Sequence, residues 1–406
     1  MNPANIAFVL MSAALVMLMT PGLAMFYGGL VRAKNVLGTI MQNFVILGVV
    51  GVQWALFGYS LAFGPDLWGV IGSLAWAGLK GVGAEPLKVY SETIPHAAFM
   101  IFQAMFATIT PALITGAWAE RLKFSSFLVF IVLWATLVYD PVAHWVWGDG
   151  GWLKGLGALD FAGGTVVHIN AGMAALAAAL VIGKREGYGK GAHIPHNLPM
   201  TILGSGLLWF GWFGFNAGSA LAADGLATTA FITTHLATCG AVLSWCAVEW
   251  LVRGKPTTLG AASGAVAGLV AVTPAAGFVG PLSALVIGLG AGVLCYLGVL
   301  AKVWLGYDDS LDVVGVHGVG GIWGALATGL FASQAVNAAG ADGLFFGNAA
   351  QLGIQSLTVL VTLVYSFIVS LILLKVIDAV MGLRVAKEEE ILGLDLSEHQ
   401  ESGYSL

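Results

Sequence analysis

Two histidines, His168 and His317, are the residues best placed to do chemistry, because each lies in a long apolar stretch among glycines. Ionisable side chains within apolar membrane helices are rare and are functional candidates by default. At a rise of about 1.5 Å per residue, His168 lies about 12 Å from one end of its predicted helix, and His317 lies about 7–13 Å from the opposite membrane surface. We therefore predict that both reach the middle of a bilayer from opposite sides.

Three interpretations of this histidine pair stay open from the residues alone. Imidazoles that accept hydrogen bonds or protons along a pore are favoured, because histidine changes its protonation near neutral pH. A hydrogen-bonded structural pair is the simplest alternative. A bis-histidine haem or metal site is the third, since imidazole is a common axial ligand. We expect no metal and no cofactor.

Aromatic side chains and one hydroxyl form a second candidate site. Phe215 and Ser219 are four residues apart and share a helix face, while Phe106 lies on the third predicted helix and Trp147 ends the fourth. Aromatic rings attract small cations through their π faces, and a hydroxyl adds a hydrogen bond. The arrangement predicts a cation site at an outer pore mouth. Two neighbouring rings are instead predicted to belong to an aromatic belt at the membrane interface: Trp209 and Trp212.

Asp160 precedes the helix that carries His168, and a carboxylate at a helix N-terminus can accept hydrogen bonds from its free N–H groups. A structural cap is therefore the favoured interpretation of Asp160. Either Asp309 or Asp312 could do the same before the helix of His317. The spacing does not choose between these two.

The composition identifies the elements that must hold these residues. Of 406 residues, 58% are hydrophobic and only 9% are charged, against about 25% charged in a typical soluble domain. This composition excludes a disordered chain, a nucleic-acid-binding protein and a water-soluble enzyme. The three cysteines lie in apolar runs, and their odd number argues against a disulfide framework.

Apolar stretches long enough to cross a bilayer, about 20 residues each, occur eleven times. We therefore predict an all-α integral membrane protein with eleven transmembrane helices. The predicted spans are 5–27, 38–63, 95–118, 124–145, 161–183, 198–219, 227–251, 257–275, 281–304, 312–333 and 349–379.

The basic residues predict the orientation of these helices. Thirteen of the sixteen fall on one side if the N-terminus is outside and the C-terminus inside, and cytoplasmic loops are enriched in Lys and Arg. The three on the other side are Lys80, Lys88 and Lys154. Eleven helices in this orientation suggest two inverted five-helix repeats plus a final helix. Helices five and ten support the repeat, since each has an Asp near its start and then a His among glycines.

An acidic tail follows the last predicted helix, which divides the chain into a transmembrane domain, 1–383, and a cytoplasmic tail, 384–406. We expect the acidic side chains of the tail to dock loosely on the basic inner loops. The basic residues expected there are Arg121, Lys123, Lys184 and Arg185.

Several strings together resemble the Amt/Mep/Rh ammonium transporter family, most closely its bacterial and archaeal Amt branch. They run along almost the whole chain and include MTPGLAMFYGGLVRAKNVL at 19–37, DFAGGTVVHINAG at 160–172, GWFGFNAGSA at 211–220 and DVVGVHGVGGIWG at 312–324. The tail also resembles the regulatory C-terminus of that family. The loop after Trp147 departs from the pattern because it is more charged.

The resemblance implies roles for the aromatic residues. It implies that NH4+ is recruited at an outer site of Trp147, Phe106 and Ser219, and that Phe106 and Phe215 stack as a gate. The resemblance further implies a transporter rather than an enzyme. In such a transporter NH4+ loses a proton and NH3 crosses an apolar pore, with or without a separate proton relay.

The resemblance also implies that His168 and His317 line the pore and that Asp160 is required for activity. Family members are homotrimers in the plasma (inner) membrane, and many are bound from the cytoplasm by PII-type signal proteins. We therefore expect ammonium or ammonia, lipid, two further copies of the chain and a PII-type protein as partners, and no nucleic acid. An Rh-type ammonia gas channel and an ammonium sensor are the alternative functions.

Overall fold

Each predicted span coincides with an apolar helix in the computed structural model, which describes residues 1–190 and 193–404. Within those residues the apolar helices number eleven, and we label them α1 to α11. They are α1 (Pro3–Leu30), α2 (Ala33–Phe63), α3 (His96–Ala117), α4 (124–147), α5 (Gly164–Ile182), α6 (Leu198–Gly218), α7 (Gly225–Arg253), α8 (Thr258–Val272), α9 (Pro281–Leu305), α10 (Val314–Phe331) and α11 (Ala349–Met381).

Ten of these helices are long and apolar enough to cross a membrane, so the protein is a nearly all-helical, multi-pass membrane protein. The exception is α8, which has 15 residues and is therefore only about 22 Å long. That is less than the roughly 30 Å thickness of a hydrocarbon core. Eleven complete crossings and the N-out, C-in orientation stay predictions.

The helix packing relates the two halves of the chain. Helices α1 and α6, which begin the two predicted repeats, pack along each other, and α5 and α10, which end them, cross at the centre. A Cβ atom at Gly172 would lie only 2.4 Å from the Cα of Gly318, so glycine is what lets the two backbones touch. This crossing brings the two candidate histidines together.

Wider π-helical turns interrupt the regular α-helices at four places in the described chain. They are Trp54–Gly58 in α2, Ala135–Tyr139 in α4, Gly164–Ile169 in α5 and Val314–Gly318 in α10. Such turns are frequently found at functional sites. The last two begin α5 and α10, and each contains one of the candidate histidines.

Short elements cover the two ends of the helix assembly. At the predicted external end lie a hairpin of β1 (Asp66–Leu67) and β2 (Ile71–Gly72) and a one-turn helix, Trp152–Gly155. At the other end the tail forms two short helices, Lys387–Leu392 and Leu394–His399. The last two residues of the predicted tail, 405–406, lie outside the described residues.

The tail is held to the helix ends by specific hydrogen bonds. Glu390 accepts from the backbone N–H of Glu186 at 2.7 Å and, within the tail itself, from the guanidinium of Arg384 at 2.7 Å. Asp395 accepts from the backbone N–H of Gly38 at 2.8 Å. These buried carboxylates fix the tail closely rather than loosely.

Tail carboxylates meet the predicted inner loops through the backbone N–H groups of Phe124 and Glu186. The predicted basic partners are wrong, because in the described chain no hydrogen bond or ion pair joins a tail carboxylate to the side chain of Arg121, Lys123, Lys184 or Arg185, and Lys123 donates to the Met381 carbonyl instead. Arg121 is fully buried, and its guanidinium donates to backbone carbonyls and the Ser310 hydroxyl rather than to a tail carboxylate. Arg185 pairs with Asp308 instead, at 2.9 Å. Both arginines therefore stabilise the inner loops, because these hydrogen-bond acceptors within the helix assembly lie nearer to them than the tail carboxylates do.

Candidate functional site

The two candidate histidines are in direct contact at the centre of the helix assembly. Nδ1 of His168 and Nδ1 of His317 are 3.2 Å apart, and the rings are 1% and 3% exposed. Such a contact is a hydrogen bond only when one nitrogen carries a proton and the other does not. In the described chain no group of three or more His, Cys, Asp or Glu side chains is placed to hold a metal ion.

Asp160 holds the π-turn that carries His168. Its two carboxylate oxygens accept four backbone N–H groups at 2.7–3.2 Å, those of residues 163–166. These are the N–H groups that the first turn of a helix leaves without internal partners. Asp160 therefore fixes the direction in which α5 enters the structure, and with it the position of His168.

Asp309 occupies the corresponding place before α10. It accepts the backbone N–H of Val314 at 2.7 Å and lies eight residues before His317, as Asp160 lies eight residues before His168. Asp312, the other candidate, pairs with Lys302 instead. Of the two carboxylates that the sequence left open, Asp309 is therefore the one that caps α10.

A cavity of about 190 Å³, here called the outer cavity, opens at the predicted external end. Phe106, Trp147 and Ser219 line it, and the rings of Phe106 and Trp147 meet edge to face with centres 5.8 Å apart. The Ser219 hydroxyl donates to the Phe215 carbonyl at 2.9 Å, which leaves its oxygen lone pairs free to accept from a cation. Three of the four residues predicted to form a cation site therefore lie together in one cavity, and Phe215 is not part of its lining.

Phe215 lies below the outer cavity and closes it together with Phe106. The two ring centres are 4.3 Å apart, and both side chains are buried. Beneath them is a narrow chamber of about 10 Å³, which Phe215, His168 and His317 help to line. That volume accommodates about one water-sized molecule and cannot hold a porphyrin.

An inner cavity of about 270 Å³ reaches His317 from the opposite end. Tyr27, Lys302 and Asp312 are among its lining residues. The outer cavity, the phenylalanine pair, the narrow chamber and the inner cavity follow one another. Together they mark a path through the described part of the protein that is narrowest at the chamber beside the histidines.

Ion pairs surround the mouth of the inner cavity. Arg185 binds Asp308 through two 2.9 Å hydrogen bonds, and Arg32 binds Glu120 at 2.8 Å. Burial alone would raise the pKa of Asp308 and of Glu120. The hydrogen bonds and charges of Arg185 and Arg32 outweigh burial and hold both pKa values below their usual range. These carboxylates are therefore ionised at neutral pH.

Trp212 is the pore residue that the sequence interpretation missed, because the predicted interfacial belt is wrong for it. Its side chain is 1% exposed, its ring stacks on His168 with centres 5.4 Å apart, and its Nε1–H donates to Thr273 at 2.8 Å. Trp212 precedes Phe215 by three residues and shares its helix face. This three-residue spacing is the sequence feature that could have placed Trp212 beside Phe215.

Comparison with known proteins identifies the family. A sequence model described as the Ammonium Transporter Family matches residues 7–404. The chain belongs to the ammonium transporter family. Its similarity to members from bacteria and archaea extends over the full length, so ammonium transport is its function at the level of the family.

Two curated family members are similar over all of this chain. An ammonium transporter of Bacillus subtilis is 55% identical over 405 residues, covering 100% of this chain and 99% of that protein. Ammonium transporter Amt1 of Archaeoglobus fulgidus is 49% identical, covering 100% of both. Among solved structures, Mep2 of Saccharomyces cerevisiae superposes with a TM-score of 0.90 at 38% identity, covering 96% of this chain and 89% of that one.

Proposed function

We propose that this ammonium transporter recruits NH4+ in the outer cavity, removes one proton near the phenylalanine pair and conducts NH3 past His168 and His317. The observation that carries the proposal is the change of pore size at Phe106 and Phe215. A cavity of about 190 Å³ lies on one side of them and a chamber of about 10 Å³ on the other. A hydrated cation fits the first and not the second.

The chemistry of the substrate explains why such a pore excludes K+. Aromatic rings attract NH4+ and K+ alike, so the outer cavity alone does not separate them. A charge at the centre of a membrane costs roughly 2.5–3.5 kcal/mol or more. Ammonium avoids this cost by losing a proton, whereas K+ cannot.

The two histidines supply hydrogen-bonding groups in the dry section. Within the described chain, Nε2 of His168 is buried and has no hydrogen-bond partner. It is therefore available to bond a passing ammonia molecule or to take part in moving a proton. If the proton follows NH3, transport carries current, as in an electrogenic uniporter. If it does not, the protein is a gas channel of the Rh type.

Three further proposals rest on the family resemblance. We infer that the protein is a homotrimer in the plasma membrane, with one pore per subunit. We also infer that a PII-type protein binds the face that carries the tail. Asp160 supports conduction indirectly, by fixing α5 through the four hydrogen bonds described above.

The decisive test measures current in proteoliposomes under an ammonium gradient, with K+ as the competing ion. We expect a current with ammonium and none with K+, and Phe215→Ala should alter ammonium conduction. Phe210→Ala is the matched control, because Phe210 lies on the same helix but is 56% exposed. Ammonium uptake without current would assign the gas-channel mode. Absence of any ammonium flux would contradict the proposal.

A further inference from the structure

Lys154 places an ammonium group of the protein itself in the outer cavity. It lies on the one-turn helix Trp152–Gly155, and its side chain is one of those that line the cavity. Its Nζ lies 5.7 Å from the centre of the Tyr90 ring and donates to the Trp147 carbonyl oxygen at 3.2 Å. A π face and a carbonyl oxygen are the groups that bind a free ammonium ion.

The Tyr90 ring beneath this lysine is held rigidly. It stacks on Phe99 with ring centres 4.5 Å apart and planes inclined by 7°. Its hydroxyl donates to the Phe63 carbonyl at 2.8 Å and accepts the backbone N–H of Asp149 at 3.0 Å. The fixed ring therefore gives the exposed Lys154 side chain a defined contact surface at the mouth of the path.

Lys154 is the one charged side chain among the described residues that line the outer cavity. The other lining residues are aromatic, apolar or uncharged polar side chains, and include Gln103 and Ser219. The carboxylate of Asp149 attracts the Lys154 ammonium from outside this lining, so the lining charge that an entering cation meets is that of Lys154.

We propose that Lys154 sets the affinity of the outer cavity for its substrate, by acting as a tethered alkylammonium that competes with incoming NH4+. The inference rests on the proposed function of this cavity. The lysine occupies the Tyr90 face and the Trp147 carbonyl, and its charge repels a second cation nearby. Repulsion acts on every monovalent cation equally, so Lys154 governs the working concentration range and not the choice of NH4+ over K+.

The test compares ammonium currents of Lys154→Gln and Lys154→Arg in proteoliposomes over a range of ammonium concentrations. Glutamine removes the charge, and we expect the half-saturating concentration to fall about threefold to fivefold, as for removal of one nearby like charge in a largely aqueous site. Arginine keeps the charge and should stay close to the unsubstituted protein. Lys80→Gln is the control, because Lys80 is an exposed lysine at the same predicted end that does not line the outer cavity.

Salt dependence and a second neutral variant separate competition from a merely structural role. The difference between Lys154→Gln and the unsubstituted protein should shrink at high ionic strength, and Lys154→Met should behave as Lys154→Gln does. An unchanged or raised half-saturating concentration in both neutral variants overturns the inference, while the ammonium current of the unsubstituted protein still supports the proposed function. If the unsubstituted protein carries no ammonium current, the proposed function fails instead.

Discussion

At the scale of single residues, the contact between His168 and His317 limits how much charge the pore can hold. A hydrogen bond between the two Nδ1 atoms, 3.2 Å apart, is incompatible with two imidazolium rings, because each ring would then present a proton to the other. The chamber therefore offers donors and acceptors for ammonia with at most one positive charge. That both rings are neutral stays a prediction.

Removing either imidazole should weaken the exclusion of K+. His168→Ala or His317→Ala enlarges the dry chamber, so water can enter and deprotonation is no longer required for passage. We expect K+ currents to appear while the protein stays folded, measured in the proteoliposome assay. His235→Ala is the control, because His235 is exposed on α7. Wild-type ammonium rates with intact K+ exclusion in both pore variants would make the histidines structural.

Sequence reasoning located most of the residues that line the outer cavity and the narrow chamber together, but not how α6 is rotated. The histidines stood out because they are polar residues in apolar helices, and Phe215 and Ser219 because they share one face. Trp212 did not, since α6 carries five aromatic residues within seven positions. A helix with rings on every side has no distinct apolar face to predict. Only packing against His168 and Thr273 shows which ring faces the pore.

At the scale of elements, α5 and α10 begin in the same way. Each starts with a π-turn, and each is capped by a carboxylate eight residues before its histidine. The sequence indicated Asp160 because no other carboxylate competes there. It could not choose between Asp309 and Asp312, because tertiary partners decide which of the two caps the helix.

The stability of the protein should carry a pH dependence from Asp309. Burial raises the pKa of Asp309 to about 6. Because the pKa of Asp309 is higher in the folded than in the unfolded state, its contribution to the free energy of unfolding is largest below about pH 4. This contribution falls by roughly 3 kcal/mol in total as the pH rises through about 6. In Asp309→Asn this fall should disappear, measured as thermal unfolding midpoints in detergent. Equal pH profiles for the two proteins would contradict the assignment.

The inner ion pairs affect stability in a different pH range from Asp309. Asp308 and Glu120 have lowered pKa values, so the stability they contribute is present above their usual pKa of about 4 and is lost only as the pH falls below it. The other titrating groups are common to both proteins, so the difference between the pH profiles of the unsubstituted protein and Asp309→Asn reports on Asp309.

Two further π-turns bring a buried polar pair together between α2 and α4. The side-chain amide of Gln53 donates to Asp140 at 2.8 Å, and both residues are almost fully buried. Asp140→Asn keeps an acceptor oxygen without a charge, so stability should change by less than about 1 kcal/mol. Asp140→Val removes the shorter of the two hydrogen bonds of the Gln53 amide, which also donates to the Thr136 hydroxyl at 3.2 Å, and should cost about 1–3 kcal/mol. Thermal unfolding tests this, and equal losses in both variants would show that the carboxyl group itself is needed.

At the scale of the whole molecule, the tail connects segments that are far apart in sequence. Lys34 reaches the backbone carbonyls of Glu390 and Ile391, and Glu398 accepts the backbone N–H of Phe124. The acidic composition predicted that the tail meets the inner face. It could not predict these partners, because most are backbone groups that become available only when the helix ends are in place.

Truncation after Arg384 should therefore lower transport without abolishing assembly. Several hydrogen bonds are lost, each contributing about 1 kcal/mol, so the inner ends of α2 and α4 should loosen by a few kcal/mol. Ammonium current and the oligomeric state in detergent measure the two effects. Glu401→Gln serves as the control because Glu401 is exposed at the end of the tail. Unchanged current in the truncated protein would assign the tail no part in conduction.

The narrow chamber has a kinetic consequence for the whole transporter. Room for about one small molecule means that a second ammonia cannot enter until the first has left. Channels that hold several ions in a row speed exit by mutual repulsion between adjacent sites, and this pore has no such arrangement. The ratio of the tracer fluxes in the two directions should therefore follow the ratio of the two concentrations with an exponent near unity, and turnover should saturate once the chamber is always filled.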